Sequence, residues 1–158
     1  MRLFAALPLA LVVATPAAAT EPRMPAHVVA EMFCMARILG DMSLVSNYLS
    51  SSLYTAVGQA LIRNDEIEKQ FPDDKPPLGD GVPWASYPDA VPSCTVDYAA
   101  ASSTPTAIPV TYDFPDAPDA RWADTLLLVE IDGEWQFEDI QYEDGSRLTA
   151  ALTAVFED

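Results

Sequence analysis

The stretch RWADTLLLVEIDGEWQFEDIQY, residues 121–142, carries the strongest structural signal in this chain. Two apolar runs flank Asp132-Gly133, a residue pair that is typical of a two-residue hairpin turn. Residues 122–131 are rich in leucine and valine, and residues 134–142 return the chain as a partner strand. The sequence therefore predicts an antiparallel β-hairpin.

The returning strand changes phase along its length. Trp135 and Phe137 share one face, whereas Ile140 and Tyr142 share the other. One extra residue near Glu138-Asp139 accounts for this change, and a bulge there also bends the strand, as a strongly curved sheet requires. We expect Trp135 and Phe137 on the buried face against helices, and Ile140 beyond the bulge on the opposite side.

Two further strands are predicted upstream by the same period-two alternation. The first runs through Cys94, Val96 and Tyr98, and a polar turn at residues 102–106 follows it. The second has four apolar residues on one face, namely Ile108, Val110, Tyr112 and Phe114. Because Pro109 cannot donate to a strand ladder, it places this strand at an edge or a bulge.

The N-terminal half follows a helical period instead. Residues 25–39 have an apolar stripe made of Val28, Met32, Met35, Ala36 and Leu39. Gly40-Asp41 ends this helix and caps a short second one, which has Leu44, Val45, Tyr48 and Leu49 on its apolar face. A third helix starts at residues 50–52 and has a stripe of Leu53, Val57, Ala60 and Leu61.

A C-terminal helix is predicted after the capping sequence at residues 144–146. Its apolar face consists of Leu148, Leu152, Val155 and Phe156. The expected fold is α+β, with N-terminal helices packed on a strongly curved four-stranded antiparallel sheet and a C-terminal helix, in one domain over residues 20–158.

Residues 1–19 have the pattern of a secretory signal peptide. Arg2 supplies the positive charge, and the apolar run at residues 3–13 is too short to span a bilayer. Ala17-x-Ala19 fits a signal peptidase site, so we expect cleavage before Thr20. The mature chain is expected in the periplasm or secreted, and not as an integral membrane protein.

Cys34 and Cys94 are the two cysteines of the chain. An oxidising compartment favours a disulfide between such a pair. A zinc site would need three or four nitrogen or sulfur ligands, and the sequence offers one histidine, His27. We therefore expect the disulfide Cys34–Cys94, no metal site and no cofactor.

The chain is strongly acidic, with 24 acidic and eight basic residues and a formal net charge of −16. This charge repels nucleic acid and anionic lipid surfaces. The expected partner is a protein or a small molecule, and a basic protein is one candidate. A second interpretation is that the acidity only keeps an exported protein in solution.

Residues 71–93 form a proline-rich loop with six prolines and two glycines, which exclude regular structure. Such long loops are uncommon in compact domains unless they have a function. Trp84 and Tyr87 either pin the loop to the domain or face a partner. We name them as candidate binding residues, because aromatic side chains often lie at the centre of interfaces.

Three more candidate binding residues, Tyr98, Tyr112 and Asp139, would line a cavity enclosed by a curved sheet. A buried carboxylate or phenol there is suited to acid–base chemistry. Each also has a structural explanation, the tyrosines as core rings with polar ends and Asp139 as a bulge residue in solvent. No motif identifies a catalytic residue, and none is predicted.

The motif Gly133-x-Trp135-x-Phe137-x-Asp139-Ile140, followed by the Leu148/Leu152 helix, resembles the closing hairpin of secreted bacterial domains in the nuclear-transport-factor-two-like, cystatin-like-cone superfamily. It most resembles the family called domain of unknown function 3828. The resemblance implies a curved sheet wrapped around N-terminal helices, with a pocket inside the cone. It implies no activity, because that superfamily includes isomerases, dehydratases and binding domains.

The functional hypothesis from these patterns is an exported, non-enzymatic binding or interaction domain. Two alternatives stay open. One is a small-molecule isomerase or hydratase that uses the cone cavity. The other is an acidic inhibitor or immunity-type protein that binds a basic partner.

Overall fold

The computed structural model describes residues 24–79 and 81–157, so the predicted signal peptide lies outside the described residues. The helices are α1 (Ala26–Leu39), a 3-10 helix (Met42–Tyr48), α2 (Ser51–Gln70), α3 (Tyr98–Ser103) and α4 (Leu148–Ala154). The strands are β1 (Ser93–Val96), β2 (Ala107–Asp113), β3 (Arg121–Ile131) and β4 (Glu134–Gln141). They form one antiparallel sheet in the order β1-β2-β3-β4. The predicted α+β fold is confirmed.

The hairpin between β3 and β4 turns at Asp132 and Gly133, as predicted. Both residues have left-handed backbone conformations, with φ of 53° and 79°. A two-residue turn of this kind matches the twist of the flanking strands, and glycine adopts it without steric cost.

The predicted bulge in β4 is also present. Leu127 pairs with Asp139 and Leu128 pairs with Phe137, so Glu138 is the extra residue. The prediction for the strand beyond it was wrong. Ile140 pairs with Leu126 and therefore lies on the same face as Phe137, and both residues are 1% exposed. Side chains alternate with a period of two, so an unbroken strand would place Phe137 and Ile140 on opposite faces. The extra residue shifts this alternation by one position and brings Ile140 to the face of Phe137.

Helix α1 packs on this sheet face through a different stripe from the one predicted. Its buried residues are Ala26, Val29, Ala30, Phe33, Cys34, Ala36 and Arg37. Met35 and Leu39, which the sequence placed in the core, are 54% and 63% exposed. The helix is rotated by about one residue because Phe33 packs against Phe137 and Cys34 is tied to the sheet.

The next two helices begin at the predicted caps. The Asp41 side chain accepts a hydrogen bond from the Ser43 backbone nitrogen, and the Ser50 hydroxyl accepts one from Leu53. Leu53 is fully buried in α2 together with Val57 and Ala60. Of the predicted apolar residues, Leu44 and Leu61 are instead 43% and 42% exposed.

Strand β1 ends earlier than predicted, and Tyr98 is the first residue of α3 instead of a strand residue. The Asp97 side chain caps α3 by accepting from the Ala100 nitrogen. Pro109 explains why the pairing of β1 with β2 stops here. The Asp97 backbone nitrogen donates to the Pro109 carbonyl oxygen, but Pro109 has no N–H with which to donate a hydrogen bond back to Asp97. β2 lies between β1 and β3, and its pairing with β3 runs through Pro109 without a bulge, so the prediction of an edge or a bulge was wrong. Pro109 sits where the neighbouring strand β1 ends.

The Cys34–Cys94 disulfide is present and joins α1 to β1 across 60 residues of sequence, with a Cα–Cα distance of 5.1 Å. A structural disulfide of this kind indicates an oxidising compartment. Within residues 24–79 and 81–157, none of the helices has the length and apolar character needed to cross a bilayer.

Candidate functional site

The proline-rich loop is held to the domain by hydrogen bonds at three places. Arg37 in α1 donates from one guanidinium nitrogen to the carbonyl oxygens of Tyr87 and Asp89, at 2.8 and 2.6 Å. The Tyr142 hydroxyl donates to the carbonyl oxygen of Pro83. The Leu78 backbone nitrogen donates to the Asn64 side chain at 2.9 Å. These bonds fix the loop against α1, α2 and the residue that follows β4.

The two aromatic residues of the loop lie against the domain. The Tyr87 ring contacts the rings of Phe114 and Trp122, with centroid distances of 4.8 and 4.9 Å. Trp84 is half-buried against the core. Tyr87 therefore anchors the loop, and direct contact of either ring with a partner stays a prediction.

A buried polar group lies beneath the loop. Asp124 is 2% exposed, and one of its carboxylate oxygens accepts hydrogen bonds from the Tyr112 hydroxyl and the Ser86 backbone nitrogen, both at 3.0 Å. Among the residues that the structure describes, the other Asp124 oxygen, the Ser86 hydroxyl and Arg37 Nε have no hydrogen-bond partner. Buried polar atoms of this kind are uncommon in folded proteins and mark this cluster for a functional explanation.

The two phenols near Asp124 are held in the neutral form. Burial, followed by the charge on Asp124 and its hydrogen bond, raises the pKa of Tyr112 well above the ordinary value. Burial, followed by the charges on Asp124 and Asp139, raises the pKa of Tyr142 as well. Both residues therefore act as hydrogen-bond donors and not as bases near neutral pH.

An open cavity of about 560 Å³, here called the loop cavity, lies between the loop and the end of the sheet. The loop contributes Pro83, Ala85, Ser86 and Pro88 to its lining. The remaining lining residues, Trp122, Tyr142, Glu143 and Asp144, come from the start of β3 and the segment after β4. The walls thus combine aromatic rings and prolines with a carboxylate rim, and the Ser86 hydroxyl is buried behind the lining. Such a mixture suits a ligand with apolar surface and hydrogen-bond donors.

A second cavity, here called the α4 cavity, adjoins the first and shares Pro83 with it. Its volume is about 490 Å³, and the residues that line it are mainly apolar. They are Pro77, Leu78, Gly81 and Pro83 of the loop and Ala151, Ala154 and Val155 near the C-terminus of the described chain. Pro83 is therefore common to the linings of two cavities of different chemistry.

The three candidate cavity residues, Tyr98, Tyr112 and Asp139, have different surroundings. Tyr112 is fully buried, whereas Tyr98 is 54% exposed at the start of α3 and donates to Glu31. Hydrogen bonding to Glu31, followed by slight desolvation, raises the pKa of Tyr98. The structure therefore does not bring Tyr98 and Tyr112 into one cavity.

Asp139 is buried at 4% exposure, which rules out the alternative of a bulge residue in solvent. It accepts hydrogen bonds from the Thr149 backbone nitrogen at 3.2 Å and from the Thr149 hydroxyl at 2.6 Å. These bonds satisfy the first turn of α4, whose N-cap residue Arg147 makes no side-chain capping bond. The bulge thus lets β4 supply the cap for α4.

Sequence reasoning missed most of the residues that line or support the loop cavity, although it named Tyr87 and Tyr112 nearby. Asp124 had a visible signal, because it shares the inward phase of β3 with Leu126 and Leu128. Arg37, a charged residue within an apolar helix, was a second signal. Ser86, Trp122 and Tyr142 come together only through the path of the loop, which no local pattern encodes.

Within the described part of the chain, no group of three or more histidine, cysteine, aspartate or glutamate residues is placed to hold a metal ion. Comparisons with models of known families, with curated proteins and with solved structures found no match.

The raised pKa values give a prediction for alkaline pH. An unfolded tyrosine has a pKa of about 10, so above this pH the folded chain holds protons on Tyr112 and Tyr142 that the unfolded chain releases. Their contribution to stability is complete below about pH 10 and declines as the pH rises beyond it. Phenolate absorbance should therefore be lower in the folded chain than in urea at the same pH, and this difference should shrink in Tyr112→Phe. Equal absorbance in the two states would contradict the buried positions.

Proposed function

We propose that this chain is an exported, non-enzymatic binding domain of the cystatin-like-cone type, and that its ligand or partner binds at the loop cavity. The loop cavity itself is the observation that carries the proposal. It is open, it has aromatic and polar walls, and hydrogen bonds at both ends of the loop segment hold its shape. A surface that is already ordered loses little conformational entropy on binding.

Binding is favoured over catalysis by the state of the polar groups. Tyr112 and Asp139 already have hydrogen-bond partners, and Tyr112 is fully buried. Large side chains such as Phe33 and Phe137 pack between α1 and the sheet, where a catalytic pocket of a cone fold would lie. These contacts give Tyr112, Asp139 and the core aromatic residues a role in stability that needs no catalytic activity. The isomerase or hydratase alternative therefore has less support.

Export to the periplasm or secretion fits the disulfide and the predicted signal peptide. The acidic charge makes nucleic acid an unfavourable partner. A protein or a small molecule remains the expected partner class.

The proposal can be tested with a panel of neutral, cationic and anionic aromatic fragments, whose binding is followed by saturation-transfer NMR. Glu143→Trp places a large ring at an exposed position of the cavity lining. Glu66→Trp makes the same change at an exposed position of α2, outside that lining. We expect fragments that bind the natural chain to bind Glu66→Trp equally and to lose affinity for Glu143→Trp. Absence of any binder, or equal binding to both variants, would contradict the proposal.

A further inference from the structure

We infer that the loop cavity takes the basic side chain of an extended peptide segment, and that a neighbouring apolar side chain of the same segment enters the α4 cavity. This inference rests on the proposed function and specifies the ligand class for the same site.

The charge of the loop cavity is complementary to that of a basic side chain. Glu143 and Asp144 line the loop cavity and are exposed, and among the described residues no lysine or arginine belongs to its lining. Hydrogen bonds from the Ser146 hydroxyl and backbone hold the pKa of Asp144 below the usual range, so its charge persists into mildly acidic solution. The whole chain carries a net charge of −16, which steers cationic partners toward it.

The loop cavity also has an aromatic wall. Trp122 and Tyr142 both line the loop cavity. The faces of such rings attract ammonium and guanidinium groups, and tryptophan does so most strongly. The long methylene stem of lysine or arginine also packs well on ring and proline surfaces. Acidic rim and aromatic wall therefore select the same kind of side chain.

A buried carboxylate, that of Asp124, lies behind the cavity lining. Asp124 is 2% exposed and accepts from the backbone of Ser86, a residue of the cavity lining. Its second oxygen has no hydrogen-bond partner in the described chain, and neither has the Ser86 hydroxyl. Asp124 does not itself line the cavity, and the positive charge of Arg37 near Tyr112 offsets part of its field. Asp124 therefore only adds to the negative potential that Glu143 and Asp144 supply.

The α4 cavity explains why a peptide fits better than a free amine. Leu78 and Val155 give this cavity an apolar lining, and it shares Pro83 with the loop cavity. In an extended peptide, side chains two residues apart point to the same face. A short segment with one basic and one apolar residue at that spacing therefore places the basic side chain in the loop cavity and the apolar side chain in the α4 cavity.

The inference can be tested with capped, fluorescein-labelled pentapeptides, Gly-Leu-Ala-Arg-Gly and its reversed order Gly-Arg-Ala-Leu-Gly, by fluorescence anisotropy. One control set replaces arginine with uncharged citrulline, and another replaces leucine with serine. We expect at least one arginine peptide to bind about tenfold more tightly than its citrulline form. The serine form should also bind more weakly, and added salt of about 0.15 M should reduce the affinity of the arginine form only.

Protein variants show whether peptide affinity depends on the charge at the loop cavity or only on the net negative charge of the chain. Glu143→Gln removes one charge at the cavity lining, and Glu66→Gln removes one from the exposed surface of α2. Glu143→Gln should weaken binding of the arginine peptide several-fold, and Glu66→Gln should change it by less than about twofold. Equal losses in both variants, or equal binding of arginine and citrulline peptides, would overturn the inference. If neutral fragments bind the loop cavity and no arginine peptide does, only the ligand class fails; if neither binds, the proposed function fails with it.

Discussion

Replacing both Cys34 and Cys94 by alanine is expected to lower the free energy of unfolding by about 4 kcal/mol, because the disulfide closes a loop of about 60 residues in the unfolded chain. This is a large share of the stability of a domain of this size. The bridge also joins α1 to the short edge strand β1, so its loss should release β1 first. Urea denaturation of the natural and double-alanine chains measures the effect.

A reductant provides the control for this prediction. It should destabilise the natural chain by a similar amount and leave the double-alanine chain unchanged. Alkylation of both cysteines in the unfolded, unreduced natural chain would show that the bridge does not form.

Phe137→Ala should cost about 3 to 5 kcal/mol, as is usual when a buried aromatic side chain is removed from a core. Phe137 is 1% exposed, and its ring centroid lies 5.8 Å from that of Phe33 in α1. Its backbone carbonyl accepts from Ser50, and that bond survives the substitution. Trp135 lies on the same strand but is only half-buried, so Trp135→Ala should cost clearly less. The two variants form a matched pair for urea denaturation, and a larger loss from Trp135→Ala would reverse the assignment of the core position.

The sheet could be predicted largely because its signals are local. The backbone conformation that Asp132-Gly133 favours fixes the hairpin. The change in the apolar alternation after Phe137 indicates the bulge. The outcome of the bulge could not be inferred in the same way. Whether Ile140 returns to the core face depends on its pairing with Leu126 on the neighbouring strand.

The errors in the helices and in β1 also have tertiary causes. Helix α1 has two overlapping apolar stripes, and its contact with Phe137 and the bridge at Cys34 select the one that contains Phe33. Tyr98 continues the alternation of β1, but Pro109 on β2 removes the bond that would extend the pairing. Neither contact is encoded within the segment that it affects.

The candidate site was predictable only in part. The proline-rich loop stands out in the sequence, and no helix or strand interrupts it among the described residues between Gln70 and Ser93. The loop cavity depends on where Arg37 and Tyr142 tie the loop down, and these bonds cross 50 and 59 residues of sequence. A one-dimensional pattern does not contain such distant contacts, although Asp124 on the inward phase of β3 indicated that this region has an unusual polar group.

Chemical-shift mapping tests most directly whether a ligand binds in the loop cavity. Proton–nitrogen correlation spectra would be recorded during titration with the fragments or peptides that bind. We predict that the largest shifts occur at the indole N–H of Trp122 and at the backbone amides of Ser86 and Glu143. Shifts concentrated on the exposed face of α1 or α2, with these three signals unchanged, would contradict the claim.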